Sequence, residues 1–174
     1  MLPMAAIRPF AALRPTPEAA PRICELPYDV VSSDEARALA AGNPLSFFYI
    51  SKPEIALEPG VDPYSPMVYK KGSEQFHHLV SLGQLQPDAT PSFYLYRQVM
   101  GGHTQVGLVA AASCEEYLNN LIVKHEFTRP DKEDDRVRHI DALNAQTGPA
   151  FLVYPAVLEM DTLTARYLGN APEI

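Results

Sequence analysis

The first clear period of apolar and polar positions is "SSDEARALAAGNP". It predicts a helix opened by a capping box, Ser32 with Glu35 three places on, and stopped by Gly42 and Pro44. Ahead of it, "AAIRPFAAL" predicts a short edge strand, because Pro9 removes a ladder donor. "RPTPEAAP" reads as a loop and "ICELPYDVV" as an extended segment ending at Val31. Residues 45–51, "LSFFYIS", form an unbroken apolar run rich in aromatics and predict a buried strand. "KPEIALEPGVDPYSP" is an excursion over the surface. Ser65-Pro66 then opens a helix with Val68, Phe76, Leu79 and Val80 on its core face and Gly83 at its end.

In the second half, "SFYLYRQVM" and "HTQVGLVAAA" flank Gly101-Gly102, a hairpin signal. Ser113 and Glu116 form a second capping box for a short helix over "CEEYLNNL". A charged helix opens near Thr128, Arg129 and Pro130 and closes at Gly148-Pro149; "AFLVYPAVL" predicts a last strand, and "DTLTARYL" at most a turn or two of helix. Strands and helices mix along the chain. The pattern predicts an α+β fold: a mixed sheet with an antiparallel hairpin and three to five flanking helices, in a single domain over residues 1–174.

Composition narrows the function classes. At 174 residues the chain is long enough to bury a core of its own. A net charge of −7 argues against a general nucleic-acid or anionic-membrane binder. No apolar run approaches the length that spans a bilayer, and "MLPMAAIRPFAALRP" lacks the layout of a signal peptide, so a cytoplasmic protein is expected. Cys24 and Cys114 are far apart and in no paired motif, which reads as reduced core residues. Eleven of the seventeen prolines fall in the first 66 positions, so the N-terminal third should be short elements pinned by rigid turns.

Charge is concentrated in one place. Residues 124–141, "KHEFTRPDKEDDRVRHID", hold eleven charged side chains, five basic and six acidic. As a solvated helix the run would pair Asp134 with Arg138 and Glu133 with Arg136, each pair contributing about 0.2–0.5 kcal/mol. Val137, Ile140, Leu143 and Asn144 would then face a sheet. As a site, the amides of Thr128 and Arg129 at the helix start, with Lys132 and Arg136 on its first turns, would hold an anion. His125 beside Glu126 would supply an acid or base. Glycine is missing from the turn, so it is no phosphate loop; Arg129 stands where a zinc-protease helix needs its second histidine. His77, His78 and His103 carry no such pattern, and no metal site is expected.

Four stretches carry a resemblance. "IRPFAALRPTPE", "LPYDVVSSDEARALAAGNPLSFFYISKPEI", "YLYRQVMGGHTQVGLVA" and "IVKHEFTRPDKEDDRVRHIDALNAQTGPAFLVY" resemble the domain-of-unknown-function family 1015 of bacteria and archaea. Its members are usually more than twice as long, which implies that this chain is the N-terminal portion of a longer protein or a shortened member. Their later part carries an Asp-Gly-His-His-Arg signature similar to the ParB/sulfiredoxin-like superfamily, which includes nucleotide-binding partition proteins and a kinase of free serine. That signature is not in this sequence.

The resemblance implies a phosphate-bearing ligand: a nucleotide or phosphorylated small metabolite, with magnesium and ATP or ADP as the implied cofactors. Lys124, Thr128, Arg129, Lys132 and Arg136 would bind phosphate, His125 and Glu126 would be catalytic in a phosphotransferase or phosphohydrolase, and Tyr28 and Asp29 would touch substrate. Two rivals stand beside this expectation. One is a non-catalytic anion- or nucleotide-binding regulatory module. The other is a structural domain whose charged helix packs on a missing C-terminal half, which an apolar patch over residues 150–158 would favour. A homo-oligomer is a separate partner expectation.

Overall fold

The computed structural model describes residues 5–125, 127–170, 172 and 174. In chain order they form strands β1 (Ile7–Arg8) and β2 (Leu13–Pro15), then helices α1 (Ala20–Ile23), α2 (Ser33–Ala40), α3 (Phe48–Ser51) and α4 (Pro66–Ser81). Strands β3 (Leu85–Pro87), β4 (Tyr94–Met100), β5 (His103–Val109) and β6 (Ala111–Ala112) follow, and helices α5 (Cys114–Leu118), α6 (Pro130–Leu143) and α7 (Leu158–Leu168) close the chain. Single 3₁₀ turns cover Tyr28–Val30 and Pro53–Ala56. The fold is α+β, and its strands pair in twos. No described helix is long and apolar enough to cross a membrane.

The chain forms two compact units. The first takes Met1–Arg14, Pro87–Phe127 and Pro155–Pro172. Its centre is the hairpin β4–β5, in full register from Tyr94↔Val109 to Met100↔His103, with Gly101 at φ +59° in the two-residue loop. A primed hairpin turn needs that left-handed conformation, which is why the Gly-Gly signal is reliable. The Tyr94 hydroxyl donates to Asp88 at 2.6 Å and accepts from the Ala12 N–H at 2.9 Å, while Arg14 pairs with Asp88 at 2.7 Å. One side chain thereby fastens the hairpin to the N-terminal segment. Ser113 caps α5 as expected, but Glu116 does not complete the box: its carboxylate accepts from the Ala6 N–H at 2.7 Å.

The second unit takes Pro15–Gln86 and Thr128–Tyr154. The Ser32–Glu35 box forms in both directions at the start of α2. Residues 45–51 are not a strand: the last four form α3, and the Pro53–Ala56 turn follows directly. Burial there alternates, Ser46, Phe48 and Ile50 inside and Phe47 and Tyr49 partly so, which imitates a strand period in a helix too short to show its own. Two apolar clusters result. Ala36 and Ala40 of α2 close on Phe48 and Ile55, and Ile50 joins Ala19, Ile23, Leu79, Leu85 and Leu143.

The long helix α4 crosses this core at Gly72. A Cβ on Gly72 would lie 2.7 Å from Pro53 Cγ and 3.2 Å from the Ile50 carbonyl oxygen. Alanine in mid-helix ordinarily adds about 1 kcal/mol over glycine. Here the clash with a rigid ring and a backbone atom outweighs that gain, and Gly72→Ala is expected to lower stability by about 1–2 kcal/mol in urea unfolding.

Further expectations are corrected. Cys24 and Cys114, expected in the core, are both exposed. The "RPTPEAAP" loop gives way to α1 at Ala20, with Pro21 in its first turn, where a missing N–H costs nothing. Residues 150–157 pair with no strand among the described residues, and α7 runs for eleven residues rather than one or two turns.

Candidate functional site

Helix α6 presents its charges in an order the apolar pattern did not show. Its buried positions are Asp135, His139 and Leu143, against α4, whereas Val137 is 50% exposed. The expected core face of Val137 and Ile140 on a sheet is therefore rotated. Polar side chains can occupy the inner face because each finds a partner. His139 Nε2 donates to the Ile50 carbonyl at 2.7 Å. That carbonyl lies in the last turn of α3 and has no partner within its own helix. The acceptor fixes the proton on Nε2, and burial pushes the His139 pKa down.

Asp135 sits four residues earlier on the same face. Its Oδ1 accepts from the Tyr69 hydroxyl of α4 at 2.8 Å, and its Oδ2 from Arg136 Nε at 3.0 Å and Nη2 at 2.6 Å. Burial, with this hydrogen bond, pushes the Tyr69 hydroxyl up to about 12. Arg136 also lies over the Tyr28 ring, 4.4 Å from its centroid. Tyr28 and Arg136 are far apart in sequence, and the fold brings these two expected site residues together. Asp29, next in the same 3₁₀ turn, is exposed and makes no ion pair among the described residues.

At 100° per residue, Arg129, Lys132 and Arg136 fall within about 60° of one another on one flank of α6. Each has a local partner. Arg129 pairs with Asp131 at 2.7 Å and holds that carboxyl below its ordinary range; Lys132 donates to the Tyr64 hydroxyl at 2.7 Å, which raises the ammonium pKa. Thr128 donates to Glu133 at 2.9 Å. The expected Glu133–Arg136 and Asp134–Arg138 pairs do not form among the described residues. Arg136 turns to Asp135 instead, where burial strengthens the bond.

Lys124 and His125 belong to the first unit, and Glu126 lies outside the described residues. Lys124 Nζ donates to the Tyr117 carbonyl at 3.3 Å and to Asn120 Oδ1 at 3.2 Å, and it lies 4.4 Å from the Tyr117 ring centroid. A backbone anchor of that kind closes α5. Among the described residues no three His, Cys, Asp or Glu side chains gather where a metal ion could sit. An open groove of about 810 Å³ lies between α6 and α4, with Tyr64, Tyr69, His77 and Arg138 among its walls.

The residues that build this cluster, from Tyr28 to His139, fall inside a continuous match to one family. The chain belongs to the family described as "Protein of unknown function (DUF1015)", whose model matches residues 7–174. None of the curated proteins and none of the solved structures matches it. The family match covers both units and all of α6, so the Tyr69–Asp135–Arg136–Tyr28 arrangement is a feature of a family member and not of an appended segment. Sequence reasoning gives Asp135 no role of its own and does not reach Tyr69. The i, i+4 spacing of Asp135 and His139, two polar residues on the stripe that ends in Leu143, was the available signal.

Proposed function

We propose that the chain binds a phosphate-bearing small ligand, a nucleotide or a phosphorylated metabolite, along the first turns of α6 with Arg136 as the anchor. The observation that carries this reading is the way Arg136 is held. Asp135 engages Nε and Nη2 and Tyr28 supports the guanidinium plane, so its rotamer is fixed while Nη1 is left for an acceptor. The Arg136 side chain keeps 30% of its surface exposed. Lys132 and Arg129 stand on the same flank toward the positive end of the helix, on long exposed side chains that can leave Tyr64 and Asp131 for a stronger anion. Magnesium would arrive on the phosphates of ATP or ADP. A transfer or hydrolysis step would draw on His125 and Glu126; the reading rests on how Arg136 is held and is one of binding.

The test is calorimetric titration with ATP, ADP and phosphoserine, with and without magnesium. One of the three should give a saturable isotherm, and Arg136→Ala should weaken it about tenfold to a hundredfold, the range of a lost charged hydrogen bond. A thermal melt of the variant confirms that it is folded. No saturable heat from any of the three ligands, or equal affinity in a folded variant, overturns the reading.

A further inference from the structure

The groove between α4 and α6 is built wholly from the second unit. Its volume of about 810 Å³ lies within the range of about 300–1,000 Å³ that takes organic ligands. Its aromatic walls have their polar ends engaged. The Tyr64 hydroxyl accepts from Lys132 and the Tyr69 hydroxyl donates to Asp135, which leaves the two rings as apolar wall. On α4, Lys70 reaches Glu74 at 4.0 Å, and His77 Nδ1 donates to the Ser73 carbonyl at 2.8 Å. Across the groove, Arg138 and Asp141 of α6 also line it, and neither has a partner among the described residues. The helix alone would not place them so. Asp134, four positions earlier, is the favourable partner of Arg138, and Arg138 leaves it unused. Arg138 stands instead near enough to Tyr69 for its charge to oppose the rise that burial and Asp135 impose on that hydroxyl.

We propose that this groove binds a free α-amino acid with a large apolar side chain. Residues three apart on a helix have Cβ atoms about 5–6 Å apart, so Arg138 and Asp141 can close on two opposite charges borne by one carbon. The guanidinium takes the carboxylate through two parallel N–H donors, and Asp141 accepts from the ammonium. The apolar side chain of the ligand then lies along the rings of Tyr64 and Tyr69. A ligand of one sign would leave one of the two wall charges covered and unpaired, which is costly. A zwitterion satisfies both and adds nothing to the net charge of −7. The site needs no phosphate and does not involve Arg136.

Calorimetric titration of the full chain with phenylalanine, leucine, phenethylamine and hydrocinnamate tests this. Phenylalanine and leucine should each give a saturable isotherm. Phenethylamine lacks the carboxylate and hydrocinnamate the ammonium, so each should bind about tenfold more weakly than phenylalanine, the loss of one charged hydrogen bond. Arg138→Gln should erase the advantage of phenylalanine over phenethylamine, and Asp141→Asn its advantage over hydrocinnamate. Both side chains are exposed and unpaired among the described residues, so both variants should fold, and a thermal melt checks it. No saturable heat from either amino acid at millimolar concentration overturns the proposal. So does equal affinity for phenylalanine and its two truncated forms, or a folded Arg138→Gln that still prefers phenylalanine to phenethylamine.

Discussion

Truncating Phe48 to alanine lowers the stability of the unit built from Pro15–Gln86 and Thr128–Tyr154 by about 3–5 kcal/mol. The ring is fully buried between Ala36 and Ala40 of α2 and Ile55 beyond α3. Ala36 and Ala40 line one side of it, and their methyl groups are too short to fill the space. A domain has about 5–15 kcal/mol in total, so the variant should be partly unfolded at body temperature. Urea unfolding monitored by circular dichroism gives the number. Val137→Ala is the companion measurement. The apolar pattern puts Val137 in the core and the structure leaves it half exposed, so its loss should be within about 0.5 kcal/mol of neutral. A loss for Val137→Ala as large as that for Phe48→Ala would refute the rotation of α6 described above.

His139→Ala comes next in size, at about 2–4 kcal/mol. It opens a cavity at a position that is 1% exposed and leaves the Ile50 carbonyl without its donor. The same side chain makes stability depend on pH. Burial lowers its folded pKa below the ordinary 6.5; the nearby Arg136 lowers it further, and Asp135 and the bond to Ile50 oppose the shift. Below about pH 6.5 the unfolded chain therefore takes up a proton more readily than the folded one. The stabilising contribution is complete above that pH and is lost as pH falls through the folded pKa. Urea midpoints at pH 7.5 and 5.5 should differ more for the natural chain than for His139→Gln. Equal differences would show that the imidazole is not the group responsible.

The parts of the fold legible in the sequence are those whose cause is local. Ser32 and Glu35 cap α2, Gly101-Gly102 turns the hairpin, Pro66 and Pro130 start their helices, and Gly83 ends α4 at φ +67°, all within a few residues of the signal. What failed had a distant cause. Residues 45–51 look like a strand because burial alternates along them in a helix too short to show its own period, and the neighbours that bury them are distant in sequence. Residues 150–157 have strand composition but no partner among the described residues. At the candidate site the cations of α6 could be named from their spacing. Tyr69, which completes the grip on Asp135, is 66 positions away, and no local pattern points to it. Tyr28 had a motif but no visible partner until the chain folded Arg136 onto it.

The interleaving of the two units matters most during synthesis. The second unit needs Leu143 to finish its core and His139 to satisfy Ile50, yet the ribosome makes α4 and then about fifty residues, mostly of the other unit, before α6 emerges. For those seconds Ile50 and Leu79 lack their last neighbour and the α3 carbonyl has only water. Translation speed across residues 82–129 therefore sets how long a half-built core stays open to chaperones and to other nascent chains.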